Sequence, residues 1–228
     1  MTPGRRGWLV AGVCVAAGAA LLGRQLPWRG PRGAVRRLDV PAARGPIVVD
    51  GETDEAAWRG AARTGALLGR DGVAARPFAE ARALWGAGHL YLALYAADRD
   101  IRGGAIAADG PVWLGDHFHL AFRTGADERV LDVSPRGTLT DARRAAGGGY
   151  DYAWQSGAVA AVDADGTVDD PSDEDEEWSV ELAIPLASLG LRGVVGEQLE
   201  IAIRRCDVPA RGARACAAFG EGGVLTLR

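Results

Sequence analysis

Neither lysine nor asparagine occurs anywhere in this 228-residue chain, so all 26 of its basic side chains are arginine. The two absences exclude a Schiff-base lysine, a lysine ligand to a metal or haem, and an Asn-linked glycan. Methionine is confined to position 1 and histidine to three positions. No Gly-rich phosphate loop, no G-x-S-x-G elbow and no nucleophilic Cys–His arrangement is present. Long amphipathic helical patterns are missing as well, which argues against a helix bundle. A net charge of -4, from 26 basic and 30 acidic residues, gives no overall field to attract a polyanion. Nucleic acid is therefore not an expected partner. What the chain has in quantity is glycine, 33 residues, within an otherwise average globular composition of 48% hydrophobic and 25% charged residues. Its length suits one compact unit plus an appendage.

The appendage is N-terminal. Arg5 and Arg6 precede an uncharged run over residues 7–23 that includes Trp8, Leu9, Val10, Val13, Leu21 and Leu22. Residues 1–24 read as a signal peptide or a membrane anchor. Ala17 and Ala19 suit signal cleavage, whereas the arginines after the run, Arg24 and then Arg29, Arg32, Arg36 and Arg37 of a linker over residues 25–37, suit a juxtamembrane position at anionic headgroups. Both outcomes stand, and both place the remainder, residues 38–228, outside the cytoplasm, periplasmic or at the cell surface. Cys206 and Cys216 bracket a stretch with Pro209 and Gly212 that reads as a hairpin loop. In an exported protein the two are expected to form a disulfide, two free buried thiols being the alternative.

From residue 38 onward the dominant signal is short period-2 alternation broken by Gly, Pro and Asp. Leu90, Leu92, Leu94 and Ala96 face one way, and Tyr91, Ala93 and Tyr95 the other. The same holds for Phe118, Leu120 and Phe122 against His117, His119 and Ala121, and for Trp178, Val180, Leu182 and Ile184 against Ser179, Glu181 and Ala183. Each such strand has one core face. A short helix over residues 54–62 is expected to turn Trp58 into the core. The fold class these patterns predict is all-β, a two-sheet antiparallel β-sandwich.

Three stretches, in order, resemble a known family. Ile47-Val-Val-Asp50-Gly51-Glu-Thr-Asp54-Glu55-Ala-Ala-Trp58 is similar to an opening I-D-G-x-x-D-E-x-W. Ala83-Leu84-Trp85, then Leu90-Tyr91-Leu92 to Asp98, is similar to an L-W-D…L-Y-V…V-x-D hairpin. Trp113-Leu-Gly-Asp116-His-Phe-His119-Leu-Ala-Phe122 is similar to W-x-x-D-x-V-E-I-F. Together they resemble carbohydrate-binding module family 9, a DOMON-like, jelly-roll-like sandwich, over about residues 46–205.

The resemblance implies a non-catalytic domain whose partner is a carbohydrate, a sugar end held by aromatic stacking, with Trp113, His119, Asp132 and Ser134 at the matching ligand positions. An indole suits that task because its face meets the apolar C–H face of a pyranose while polar groups take the hydroxyls. The match is imperfect. His119 stands where the family has Glu, Asp132 and Ser134 stand where it has Arg and Asn, and the C-terminal segment around Phe219 has no second tryptophan. If their strands pair, His119 and Asp132 meet across the sheet. The rival reading is a sandwich that has lost sugar binding and serves as a structural or protein-interaction module. A glycoside hydrolase and a haem-binding relative rank lower, since a hydrolase needs two carboxylates at a defined separation and haem ligation is left to histidine alone. No cofactor is expected, with Asp163, Asp165 and Asp169 of a charged loop as weak calcium candidates.

Overall fold

The computed structural model describes residues 35–209, 212–220 and 222–228, so the signal or anchor reading of residues 1–24 lies outside the described residues. Among the described residues no helix is long and apolar enough to cross a membrane. The described residues form thirteen strands in two sheets: β1 (Arg36–Val40), β2 (Ala62–Arg63), β3 (Ala79–Gly86), β4 (His89–Ala97), β5 (His117–Thr124), β6 (Asp127–Val133), β7 (Leu139–Arg144), β8 (Tyr150–Asp151), β9 (Val159–Asp165), β10 (Glu177–Pro185), β11 (Gln198–Asp207), β12 (Ala215–Ala218) and β13 (Gly223–Leu227). The larger sheet runs β1-β13-β11-β5-β6-β7-β8, with β12 also on β11, and the smaller runs β2-β3-β4-β10-β9. Pairing is antiparallel except between β1 and β13.

Sequence dictates these strands in a simple way. The β3–β4 hairpin closes through Ala87-Gly88, both at positive φ (48° and 80°), the twist that a two-residue turn between right-twisted strands requires. Alternate residues of β4, β5, β10 and β11 then point between the sheets. Leu90, Leu92, Leu94, Phe118, Leu120, Phe122, Val180, Leu182, Ile201 and Ile203 pack into one core. Phe118 and Trp178 meet edge to face across it, with ring centroids 5.1 Å apart. The fold is the expected all-β sandwich, with differences in detail. Trp58 is buried, yet it packs with Ala57, Leu84 and Ala93 on the far side of the smaller sheet. It sits on a single 3-10 turn, Ala56–Gly60, rather than a longer helix. β1 starts at Arg36, so the last two residues read as linker belong to a strand. The acidic stretch after residue 162 is partly strand too, since β9 extends to Asp165 and β10 begins at Glu177.

The two outer faces differ. Residues 47–58 lie over the smaller sheet, where the Glu181 carboxylate accepts N–H groups from Asp50, Gly51 and Trp58. The outer face of the larger sheet, partly covered by Tyr150 and Tyr152, positions the candidate site.

Candidate functional site

Register places one row across five strands of the larger sheet, polar on four of them. Thr140 on β7 lies opposite Asp132 on β6, Asp132 opposite His119 on β5, His119 opposite Arg204 on β11, and Arg204 opposite Ala218 on β12. His119 Nδ1 is 2.8 Å from Asp132 Oδ1. A nitrogen facing a carboxylate must carry the proton, so the ring is oriented with Nε2 turned away from the pair. Asp132 is 1% exposed while the His119 side chain keeps 18% of its surface. The row therefore buries its acid and shows its imidazole. Arg204, next in line, is exposed.

The neighbouring row is apolar and small. Ala121, Val130 and Ala142 are buried, with Ala202, Tyr150 and Tyr152 packed on them. The two tyrosines pack on these short side chains, their rings 6.5 Å apart. The Tyr152 hydroxyl holds its proton more tightly than a free phenol, through partial burial and then the nearby Asp132 charge. Tyr150 is shifted the same way by burial and by its hydrogen bond to Glu128.

On the opposite flank the loop carrying Trp113 forms a wall. Thr140 Oγ1 donates to the Gly110 carbonyl at 2.6 Å, Asp116 N–H to the Arg102 carbonyl, and the Arg214 guanidinium to the Trp113 carbonyl at 2.9 Å. Gly104 and Gly115 let the two limbs of the loop touch, since a Cβ on Gly115 would stand 2.4 Å from the Gly104 nitrogen. Trp113 lies on the 3-10 turn Val112–Leu114 and is half-buried, beside the exposed Leu114. Below it His117 is buried, with Nδ1 2.9 Å from the Gly115 carbonyl and Nε2 3.3 Å from Arg214. Nδ1 must then donate, which leaves Nε2 as acceptor. Burial, foremost, lowers the His117 pKa to about 4, so the ring is neutral.

Of the residues read from the sequence, Trp113, His119 and Asp132 thus lie on or beside one face. Ser134 does not join them. It is fully buried just past the end of β6, and its hydroxyl accepts the Arg136 N–H within the turn to β7. Phe219 points into the core with Arg36 over its ring, so it supplies no second stacking surface. The calcium candidates also part company. Asp163 and Asp165 are exposed on β9, whereas Asp169 accepts the Gly103 N–H and pairs with Arg136.

The carboxylates that do converge are Asp98, Asp116 and Asp207, whose ligand atoms lie within 4.8 Å of one another. Arg205 already supplies the positive charge there, bonding Asp98 at 2.5 Å and Asp207 at 3.2 Å, while Asp116 takes backbone N–H groups from Arg102 and Val208. This donor set does not suit a calcium ion, because a guanidinium fills it. Burial, and then Asp98, push the Asp116 pKa up to about 7. The one sequence signal for this cluster was a charged residue, Arg205, at a core-facing position of β11. The residues missed on the outer face are Tyr150 and Tyr152, whose signal is the alternation of aromatics through Tyr150, Tyr152 and Trp154.

No protein-family model matches the chain, and no curated protein does. Several solved structures share its fold. A candidate carbohydrate-binding protein from Bacteroides uniformis ATCC 8492 superposes with a TM-score of 0.65 at 13% identity, covering 86% of this chain and 100% of that one. A carbohydrate-binding module family 9 domain from Caldicellulosiruptor kristjanssonii in complex with cellotriose gives 0.56 at 12% identity, covering 85% and 94%. The same organism's family 9 module with glucose gives 0.55 at 13% identity, covering 85% and 96%. The chain therefore has the sandwich fold of family 9 carbohydrate-binding modules.

Proposed function

We propose that the protein is a non-catalytic carbohydrate-binding domain and that the outer face of the larger sheet is where the glycan sits. The observation that carries this reading is the His119–Asp132 pair set between the Tyr150–Tyr152 cluster and the loop bearing Trp113. A pyranose set beside the pair keeps its C–H face against the partly buried rings of Tyr152 and Trp113. Its hydroxyls meet the partly exposed imidazole and the tyrosine hydroxyl. None of these groups is arranged as a nucleophile with a base, and the deeply placed acid, Asp132, is already bonded to His119. Binding without bond cleavage is what the geometry supports.

The shared fold adds weight, since two of the neighbours hold cellotriose and glucose. A disulfide joins Cys206 to Cys216, which favours an oxidising, extracytoplasmic setting. A membrane tether through the N-terminal segment fits that setting. A second reading, a sandwich that has lost its ligand and serves as an interaction module, draws on Phe219, whose inward ring leaves Trp113 without a partner across the site. Affinity electrophoresis through gels containing soluble β-glucans, xylans, mannans and uronate polymers tests the choice. Retardation by at least one polymer is the expected result, and unchanged mobility in all of them would favour the second reading.

A further inference from the structure

Beside the proposed glycan face, between β12 and residues 69–77, lies a hollow of about 660 Å3 whose charged lining is Arg70, Asp71, Arg76, Arg205 and Arg214. Four guanidiniums against one carboxylate is the reverse of the chain as a whole, which carries more acids than bases. Arg205 is neutralised from behind by Asp98 and Asp207. Asp71 turns its carboxylate to its own loop, accepting the Val73 N–H at 3.0 Å. Arg70, Arg76 and Arg214 have no carboxylate partner among the described residues, although elsewhere in the sandwich Arg63 pairs with Glu80, Arg136 with Asp169 and Arg143 with Asp151. The hollow is also joined to the glycan face. Arg214 lines it and reaches over to the Trp113 carbonyl and to His117 Nε2, while Cys216, bonded to Cys206, fixes the strand that follows it. Both contacts of Arg214 are to neutral groups, so its charge is left for a ligand.

We propose that this hollow receives the anionic group of an acidic glycan, a sugar carboxylate or a sulfate ester, and that the protein's ligand is such a polymer rather than a neutral one. The inference rests on the glycan-binding reading above. Arginine forks match both oxyanions, and a volume of this size admits a sugar residue with its substituent. Long-range attraction to polyanions is not required, because the preference arises in a local concave site where field lines concentrate.

The test is calorimetric titration of the full chain with polygalacturonate, its fully methyl-esterified form, dextran sulfate, dextran and polyglutamate. The wild-type protein should bind one charged polysaccharide about tenfold or more tightly than its uncharged counterpart, with the advantage shrinking as salt rises. Whether polygalacturonate or dextran sulfate shows it identifies the oxyanion. In Arg70→Gln/Arg76→Gln the advantage should fall below about threefold, with affinity for the uncharged polymer and melting temperature unchanged. Equal wild-type binding of charged and uncharged polymers, an undiminished preference in the double variant, or binding of polyglutamate as tight as of the acidic glycan would each overturn the inference. Trp113→Ala separates the two levels: it should weaken charged and uncharged glycans alike, and if it leaves both unaffected the underlying site reading fails whatever the arginines do.

Discussion

Glu181 and Trp58, 123 residues apart, are joined by a 2.7 Å hydrogen bond from the indole Nε1 to the carboxylate on the far side of the smaller sheet. The other carboxylate oxygen accepts the Asp50 and Gly51 N–H groups, so a single acid on β10 fastens the whole segment 47–58. Trp58 is 1% exposed and Glu181 fully buried. The bend at Gly51 is equally constrained, at φ 100° and against the β9 backbone, where a Cβ would stand 2.5 Å from Asp163 N. Removing the carboxylate strands two buried donors, Gly51 N–H and Trp58 Nε1, and the part-buried Asp50 N–H. Glu181→Ala should therefore cost more than about 3 kcal/mol, and Trp58→Phe, which deletes one donor, about 1–3 kcal/mol. Urea unfolding followed by tryptophan fluorescence measures both, and a Glu181→Ala cost below that of Trp58→Phe would contradict the assignment.

Stability should fall as pH rises from about 5 to about 8. Burial raises the Glu181 pKa to about 7, and burial with Asp98 raises Asp116 to about 7. Across the window between their ordinary values and about 7 the folded protein holds protons that the unfolded chain has released, so each group's stabilisation is lost as pH climbs. His117 acts oppositely. With a folded pKa near 4 it binds fewer protons than the unfolded chain between about 4 and 6.5, and adds stability as pH rises through that range. Two carboxylates outweigh one imidazole. Melting temperatures at pH 5, 6, 7 and 8 should decline and then level off, with a shallower decline in Glu181→Gln and a steeper one below about pH 6.5 in His117→Gln. A wild-type profile that rises steadily across the range would show the carboxylates to be ionised throughout.

Sequence legibility followed burial on one face. The strands around residues 90–96, 118–122, 178–184 and 199–203 were readable because each has an alternating apolar side facing a common core. Trp58 was readable as buried but not as lying on the far face, since its partner Glu181 sits on a distant strand and local pattern carries no such information. The His119–Asp132 encounter followed from alternation once β5 and β6 were paired. Ser134 shows the limit of that logic: alternation ends with the strand at Val133, and one residue later the hydroxyl serves the turn. Arg205 was hidden differently, as a charge on a core face, meaningful only with Asp98 and Asp207 beside it. β1 gave little signal because an edge strand with Arg36, Arg37 and Asp39 has hardly any apolar alternation.

The Cys206–Cys216 disulfide closes a short loop across directly opposed residues of β11 and β12. β12 is held by four residue pairs along β11. Cys206→Ser/Cys216→Ser should lower stability by about 2–3 kcal/mol while leaving the far-ultraviolet spectrum of the sandwich intact. Because Arg214 sits just before β12, the same variant should also weaken glycan binding. Unchanged denaturation midpoints with and without reductant would show that the bond constrains nothing.

Core and surface aromatics should separate cleanly in unfolding experiments. Trp178 and Phe118 are completely buried and in contact, so Trp178→Ala and Phe118→Ala should each cost about 3–5 kcal/mol. Their double variant should cost less than the sum, because the edge-to-face contact is lost only once. Additive losses would mean that the two rings do not communicate across the core.

The central claim is that the outer face of the larger sheet binds glycan, and it is tested most directly by measuring Trp113→Ala for both affinity and melting temperature. Trp113 is half-buried on a loop outside the core clusters, so the substitution should reduce glycan affinity at least tenfold, about 1.4 kcal/mol, with little change in melting temperature. Wild-type affinity in Trp113→Ala, or a collapse of stability in place of a loss of binding, would contradict it.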